Sequence, residues 1–579
     1  MSQKALAQKE YERWCAYPAI DTESARELAL MKGDTDALLM RFGSVMSFGT
    51  AGLRSTMCVG TACMNVYTVA QATQGLAVLI EKENGNTRGV AIAYDSRNNS
   101  KLFAEVAAEV LAANGIRVYL FDGVRPTPEL SFAVRACGCI AGINITASHN
   151  PKEYNGYKAY WEDGAQLSPE HSRVVADAIA KVDVLGGAKR MPLDEARACG
   201  LVTMLDEKFD ERYLEAVMAT AIAPEDVQKV ADELKIVYTP LHGAGYRLVP
   251  EILRRMGLKH LYTVSEQMVL DGNFPTVEKP NPEYANVFSL GIAVAQREGS
   301  DLIIATDPDA DRVGVMSRTA NGDFATITGN QMGALLLDYV IRARRARGKL
   351  PDGSYAVKSI VSTALAEKIA AAQGVKLYDV FTGFKFIGEV IKNHEKGGVA
   401  GDFLLGFEES YGYLFGTYAR DKDAVEATMM IVEMTAYYRT RGMTLSDALE
   451  NLYKEYGLYK EGVLDLYMEG VDGPERLRCT MEGLRATPLT VFAGERVWLV
   501  TDHAAQYTLD LKTGEKTPTG MESSNVLYYT LENGDKIIVR PSGTEPKIKF
   551  YFLCSGEDIN TLEAKLQEYQ KAAEALASK

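Results

Sequence analysis

A rhythm repeated along most of this chain constrains its fold more than any other feature: a short apolar run, a loop rich in Gly, Asp or Ser, then a segment of helical periodicity. Such alternation is the mark of parallel sheets whose strands are covered by helices. Residues 90–94, 118–121 and 140–145 give a first series of strands, 235–238, 261–264 and 302–305 a second, and 359–361, 377–380 and 403–405 a third. A polar helical lead-in, 2–41, precedes them. The last part differs: apolar runs at 536–539 and 548–553 flank a polar loop, and a helical tail follows at 558–576, which predicts a smaller α+β domain. Polar, turn-rich stretches place boundaries near residues 205, 326 and 456. The expected organisation is therefore α/β with four domains, 1–205, 206–326, 327–456 and 457–579.

At 579 residues and 47% hydrophobic content the chain has ample material for several cores. Its 63 Lys+Arg against 77 Asp+Glu give a net charge of −14, which argues against general affinity for nucleic acid or anionic membranes. Any phosphate binding must come from local basic groups. The basic run Arg342, Arg344, Arg345 and Arg347 ends a helical segment before Gly348 and reads as a solvated helix terminus. The charged N-terminus lacks an apolar core, and no apolar run approaches membrane-spanning length, so a cytoplasmic protein is expected. The eight cysteines are scattered without a CxxC pair, which predicts free thiols in a reducing compartment.

Two loops carry the chemistry. Thr146-Ala-Ser148-His149-Asn-Pro151 directly follows an apolar strand, and Asn150-Pro151 ends regular structure, so Ser148 is expected on an exposed turn. Asn155-Gly156 is expected to form a tight turn that returns Lys158 beside the serine. In Asp307-Pro-Asp309-Ala-Asp311-Arg312, an extended loop would point alternate carboxylates to one side, while Pro308 opposes a helix. Three hard oxygen donors favour Mg²⁺ or a similar ion. The positions that an EF-hand reserves for glycine and glutamate hold Arg312 and Arg318. A haloacid-dehalogenase-type phosphatase, with Asp307 as nucleophile, would usually have Thr or Val where Ala310 stands. Gly406-Phe-Glu408-Glu-Ser410 suits vicinal sugar hydroxyls, and Arg540-Pro-Ser542-Gly543-Thr544 has the composition of a phosphate cradle. Tyr411, Tyr413, Tyr437 and Tyr438 read as packing.

With Gly49-Thr-Ala-Gly52-Leu-Arg54, these motifs stand in the order seen in the α-D-phosphohexomutases. The chain resembles that family over nearly its whole length, most of all its longer phosphoglucomutase and phosphopentomutase branch. The resemblance implies three related mixed α/β sandwich domains and a mobile fourth around a central cleft. The first would bear the phosphoserine, the second the metal, the third the sugar-recognition loops and the fourth a phosphate site. It also implies that Ser148 carries a phosphoryl group, and that Asp307, Asp309, Asp311 and a phosphoserine oxygen hold Mg²⁺. Arg54, His149 and Lys158 would lie near the transferring group, with Arg312 beside the metal loop. Lys422 resembles an acid/base lysine of the family, with Ala424 where many relatives have glycine. Glu408 and Ser410 would grip sugar hydroxyls, Thr382 and Gly383 would sense sugar orientation, and Arg540, Ser542, Gly543 and Thr544 would hold the non-reacting phosphate.

The implied reaction interconverts glucose 1-phosphate and glucose 6-phosphate through glucose 1,6-bisphosphate, which would also act as activator. The same chemistry would serve a pentose or mannose phosphate, or synthesis of the bisphosphate. A non-catalytic sugar-phosphate sensor is the reading from another class. Small sugar phosphates are the expected partners, with no nucleic acid or membrane, and the chain is expected to be a monomer or weak homo-oligomer.

Overall fold

The structure is a computed structural model that describes residues 3–49, 52–319, 321–398, 400–468, 473–542 and 547–577. Four sheets divide the chain. The first has six strands in the spatial order Leu53–Thr56, Tyr154–Trp161, Ala141–Ile145, Val90–Tyr94, Val118–Phe121 and Val202–Leu205. In the second, Phe324–Ile327, Val313–Arg318, Leu302–Thr306, Lys235–Thr239 and His260–Thr263 lie side by side. The third runs Lys376–Val380, Tyr355–Ser359, Phe403–Glu408 and Gly412–Leu414. Strands such as Val90–Tyr94, Ala141–Ile145 and Leu302–Thr306 are buried at every residue, as expected where helices cover both faces of a parallel sheet.

These three sheets share one device. In each, a buried strand with a parallel neighbour is followed by a strand that returns antiparallel to it: Ala141–Ile145 into Tyr154–Trp161, Leu302–Thr306 into Val313–Arg318, and Phe403–Glu408 into Gly412–Leu414. The connecting segments, 146–153, 307–312 and 409–411, therefore leave from equivalent carboxyl ends, where open α/β sheets gather ligands. The fourth sheet is antiparallel and has eight strands. Its longest pair, Leu458–Tyr467 with Lys547–Gly556, is covered by the helix Ile559–Ala577. Gly462 lies where a Cβ would come within 2.6 Å of Leu566 on that helix.

Two expectations about local structure are corrected. The strand placed at 359–361 is Tyr355–Ser359; Lys358 interrupts its apolar character, yet it is buried with its ammonium 2.8 Å from Asp379 and 3.3 Å from Glu367. Asn155-Gly156 is not a turn but part of the strand Tyr154–Trp161. A Cβ at Gly156 would lie 2.5 Å from the Thr146 carbonyl oxygen and 2.9 Å from that of Leu53, so glycine is required here for close strand approach.

One continuous apolar core runs through residues 213–452 and joins the second and third domains. At its centre, the helix Ala424–Arg439 is buried on all sides from Ala424 to Tyr438, the pattern of a fully enclosed helix. Its carboxylates are used as ties. Asp423 caps the helix by accepting from Glu426 N at 2.9 Å, and it also accepts from Tyr213 at 2.7 Å and Tyr418 at 2.6 Å. Glu433 accepts from Ile222 N at 3.0 Å and from Tyr339 at 2.7 Å.

Burial, and then the charge of Asp423, push the Glu426 carboxyl up from 4.5 to about 8. Between those values the folded protein keeps a proton that the unfolded chain releases. The stability linked to that proton is full below about 4.5 and is lost as pH rises through about 8. Glu426→Gln, which imitates the protonated form, is expected to flatten the fall in Tm between about pH 5 and pH 8, measured by calorimetry. An unchanged slope would remove Glu426 from the account.

The lead-in folds as three helices, Gln3–Cys15, Thr22–Leu30 and Thr35–Phe42, gathered on the aromatic contacts of Trp14 with Phe42 and Tyr67. The cysteine expectation is corrected in part: Cys58 and Cys63 are paired as a disulfide, while the other six are free. The tight segment between the strand Leu53–Thr56 and the helix Val66–Lys82 brings these two together. The basic helix end is solvated only at Arg345; Arg342, Arg344 and Arg347 are half-buried and paired to Asp338, Asp402 and Glu225, which corrects the expectation of a wholly solvated terminus. Among the described residues, no helix is long and apolar enough to cross a membrane.

Candidate active site

Ser148 and the aspartate loop meet across the boundary between the first two domains. Ser148 Oγ donates to Asp307 Oδ2 at 2.9 Å and lies 3.2 Å from His149 Nδ1. The turn is present, but Ser148 is only 3% exposed, so the expectation of an exposed serine is corrected: the aspartate loop itself covers the hydroxyl. Ser148 has φ 54°, stabilised by its own N–H donating to Thr146 Oγ1 at 2.8 Å.

The aspartates converge by a different route from alternation in an extended loop. Residues 307–310 form a tight turn in which Ala310 N donates to the Asp307 carbonyl at 2.9 Å and Ala310 has φ 50°. Asp307 Oδ1 accepts from Asp311 N at 3.1 Å and Arg312 N at 3.0 Å. One oxygen from each of Asp307, Asp309 and Asp311 lies within 4.8 Å of the others. The third equivalent connection also contains a left-handed residue, Tyr411, with φ 67°. A non-glycine residue in this region at all three strand ends is strain held in place by its surroundings, as functional loops commonly show.

Two lysines close on the triad. Lys158, on the strand opposite Asn144, lies 2.8 Å from Asp309 and 3.3 Å from Asp311. Lys422, from the third domain, lies 3.2 Å from Asp311 and 3.1 Å from Asp421. Gly412 makes room for it, since a Cβ there would meet Lys422 Cδ at 2.0 Å. Ala424 is accommodated: its N–H donates to the Ala310 carbonyl at 3.1 Å, tying the lysine segment to the aspartate loop.

Burial opposes ionisation throughout, and the partners decide the outcome. Burial and the charges of Asp309 and Asp311 push Asp307 well above the usual carboxylate range. At Asp311, burial is outweighed by Lys422 and Lys158, so its carboxyl is held low; at Asp309, Lys158 and the Thr127 hydroxyl overcome burial and the Asp311 charge. Both lysines are held as ammonium groups by these carboxylates against burial. Burial, Arg312 and Arg54 push His149 well below its ordinary value, so its imidazole is neutral.

The triad fits a divalent cation. Asp309 Oδ1 and Asp311 Oδ1 are buried acceptors without a hydrogen-bond partner, and all the donors are hard oxygens of the kind that bind Mg²⁺ or Ca²⁺.

The remaining residues surround this centre. Arg54, on the edge strand opposite Gly156, donates to Asn150 Oδ1 at 3.1 Å. Arg312 pairs with Glu283 at 2.5 Å. Glu408 Oε1 accepts from Gly383 N at 2.6 Å, so two segments expected to contact sugar are physically joined. Ser410 is half-buried in the adjoining connection. Thr382, Arg540 and Ser542 line one cavity of about 470 Å³ together with Val361, Phe381 and Asn525, between the third and fourth domains. Gly543 and Thr544 lie outside the described residues.

Sequence reasoning missed the groups that join the domains here. Thr127 donates through Oγ1 to Asp309 Oδ2 at 2.7 Å and through its N–H to the Asp309 carbonyl at 2.8 Å, while Asn144 donates to Thr127 Oγ1 at 2.6 Å. Asp421 accepts from Tyr160 at 2.8 Å as well as from Lys422. Gly243 packs on the aspartate loop, where a Cβ would come within 2.4 Å of Pro308 Cα.

Models of three phosphoglucomutase/phosphomannomutase α/β/α domains match residues 45–185, 211–322 and 328–456 in that order. A phosphoglucomutase of Staphylococcus saprophyticus is 36% identical over 523 residues, covering 90% of this chain and 92% of that one. Among solved structures, the Paramecium phosphoprotein pp63/parafusin, a phosphoglucomutase in its open form, matches with a TM-score of 0.67 at 17% identity, over 91% of this chain and 95% of its own. The Aspergillus fumigatus N-acetylphosphoglucosamine mutase, solved with GlcNAc-6P and magnesium, matches with a TM-score of 0.52 at 13% identity, over 100% of this chain and 98% of its own. With domain models in series and a relative this similar over nearly its full length, the chain belongs to the phosphoglucomutase/phosphomannomutase family of α-D-phosphohexomutases.

Proposed function

We propose that this protein interconverts glucose 1-phosphate and glucose 6-phosphate by two phosphoryl transfers through Ser148. The observation that carries the reading is Ser148 Oγ lying 2.9 Å from Asp307, at the edge of a buried three-carboxylate cluster from another domain. The phosphoglucomutase named among its relatives supports the choice of glucose. In the first transfer, phosphoserine 148 passes its phosphoryl group to the free hydroxyl of glucose 1-phosphate. Glucose 1,6-bisphosphate then reorients in the cleft and returns its other phosphoryl group to Ser148.

His149 is the group placed to handle the serine proton: its neutral imidazole lies 3.2 Å from Oγ. It accepts the proton when Ser148 attacks and returns it when Oγ departs. Lys158 is an ammonium group, and with the guanidinium groups of Arg54 and Arg312 it stabilises charge on the phosphoryl oxygens. Lys422, also an ammonium group, lies between the metal loop and the sugar segment and is our assignment for proton transfer at the sugar oxygen. A Mg²⁺ held by Asp307, Asp309, Asp311 and a phosphoserine oxygen would supply further neutralisation of that charge. Glu408 and Ser410 take sugar hydroxyls, and the Gly383–Glu408 bond couples that grip to the Thr382-Gly383 loop. Arg540 and Ser542, with Gly543 and Thr544, take the phosphate that does not react.

Incubation with glucose 1,6-bisphosphate should add one phosphoryl group to the intact protein, mapped to Ser148. A phosphate mapped elsewhere would overturn the assignment. The sugar is tested by kcat/KM on glucose, mannose and pentose phosphates, with glucose expected to lead. Arg540→Ala is expected to raise KM by about 10- to 100-fold with a smaller change in kcat, because a charge-assisted phosphate contact is lost from both ground and transition states. An unchanged KM would remove the cradle assignment.

A further inference from the structure

Arg97 lies behind the Ser148 loop and has no place in the chemistry above. It is 3% exposed, and its guanidinium is spent on one short stretch of backbone. Nη2 donates to the carbonyls of Ser148 and Asn150, both at 2.5 Å, and Nη1 to those of Pro151 and Tyr154 at 2.9 and 3.1 Å. Asp95 balances the charge, with Oδ2 3.3 Å from Nε, and Asp95 Oδ1 accepts from Arg97 N at 2.9 Å and Ser100 Oγ at 2.7 Å. The other face is closed by the second domain: the Phe274 ring lies 5.0 Å from the guanidinium carbon. Beside it, Gly272 is so close to Asn98 that a Cβ would fall 2.3 Å from Asn98 N.

We propose that Arg97 is a positioning residue that holds the Ser148 loop in its left-handed turn, aiming Oγ at Asp307, and that Phe274 from the second domain locks it there. The inference rests on Ser148 as the phosphoryl carrier. Four carbonyls from residues 148–154 would otherwise be satisfied separately, and nothing else described reaches all of them. Arginine suits the task because its planar fork offers several fixed donors; the single ammonium of lysine cannot span the same carbonyls. The strained φ of Ser148 persists only if its surroundings over-determine it, and this cage supplies that constraint. Because Phe274 belongs to the other domain, the constraint is complete only when the serine and aspartate loops are docked.

The test is the rate of Ser148 phosphorylation by glucose 1,6-bisphosphate in the full-length protein, read by rapid quench and mass spectrometry beside steady-state kinetics. Failure of the wild-type protein to phosphorylate at Ser148 would refute the proposed function itself. Given wild-type labelling, Arg97→Lys is expected to lower the labelling rate and kcat by about 100-fold, the scale of a misplacement near 1 Å, with KM for the sugar phosphate little changed. In Arg97→Ala, guanidinium at millimolar concentration should restore about tenfold of the lost rate, whereas methylammonium should not. Phe274→Leu, which keeps the guanidinium, is expected to lose about tenfold in labelling rate at constant KM, and it decides the matter if the Arg97 variants do not fold. Wild-type labelling in Arg97→Lys or Phe274→Leu would overturn the proposal. So would a loss that appears wholly in KM or that guanidinium fails to rescue.

Discussion

Ser148→Ala is expected to lower sugar-phosphate interconversion by about 10⁴-fold or more while the protein stays folded, because the variant has no atom to carry the phosphoryl group between transfers. The neighbours cannot substitute. Ser148 Oγ is bonded to Asp307 at 2.9 Å, whereas His149 presents Nδ1 to that hydroxyl and the Thr146 hydroxyl accepts from the Ser148 N–H. The structural cost is small by comparison: one hydroxyl donor to Asp307 is lost, on the order of 1 kcal/mol. Turnover and intact mass should fail together, with Tm changing by only a few degrees, about the scale of such a loss. A Ser148→Ala protein that kept about a tenth of its turnover would end the phosphoserine mechanism.

That prediction follows from residues visible in the sequence, and the reason is local. The apolar strand before Thr146, the Asn150-Pro151 stop and the alternating aspartates after residue 306 each report their own strand end. The family motifs then placed the loops in order along the chain. What the sequence did not reveal is how the loops are joined. Thr127, itself held by Asn144, binds Asp309 across domains, Asp421 joins Tyr160 to Lys422, and Arg97 gathers four carbonyls. Thr127 with Asp309, Tyr160 with Asp421 and Arg97 with the 148–154 carbonyls are contacts between residues about 50 or more positions apart, and no local period encodes such contacts. Local geometry misled in two places for the same reason. Asn155-Gly156 has the composition of a turn, but strand packing against Leu53 and Thr146 makes Gly156 a contact point. The aspartates match an extended alternation, but the left-handed Ala310 folds them into a turn. The disulfide between Cys58 and Cys63 belongs to the same class, since spacing without a fold does not decide pairing.

The three equivalent strand ends explain why the site is built from several domains. Each sheet turns back at the same point and offers one strained connection, and the three supply different chemistry: a hydroxyl and imidazole at 148–149, carboxylates at 307–311, and a carboxylate and hydroxyl at Glu408 and Ser410. Catalysis of phosphoryl transfer is mostly positioning and charge stabilisation. Separate loops on rigid strands can provide both, provided the domains are held in register. Thr127, Ala424 and the Arg97–Phe274 contact supply that register by touching the aspartate loop or the serine loop from a neighbouring domain.

The second large effect is expected at the centre of that register. Asp309→Asn keeps an oxygen able to accept from Thr127 and Lys158 but removes the negative charge. In the present arrangement two ammonium groups are paired with Asp309 and Asp311; in the variant Asp311 alone answers them, so the cluster has one negative charge fewer to offer a divalent ion. We expect Mn²⁺, used as a spectroscopic stand-in, to bind about 100-fold more weakly, and kcat to fall by about 10³-fold, the range seen when one charge-stabilising group is removed from a buried site. Removing metal from the wild-type protein with chelator should produce a loss of the same kind, reversed by Mg²⁺. Two measurements separate the metal from the fold. Isothermal titration of the ion tests the site directly, and Tm should change little because the Thr127 and Lys158 contacts retain an acceptor. Wild-type affinity for Mn²⁺ in Asp309→Asn, or full turnover after exhaustive chelation, would show that the triad's charge is answered by Lys158 and Lys422 alone, and the metal would have to be removed from the mechanism.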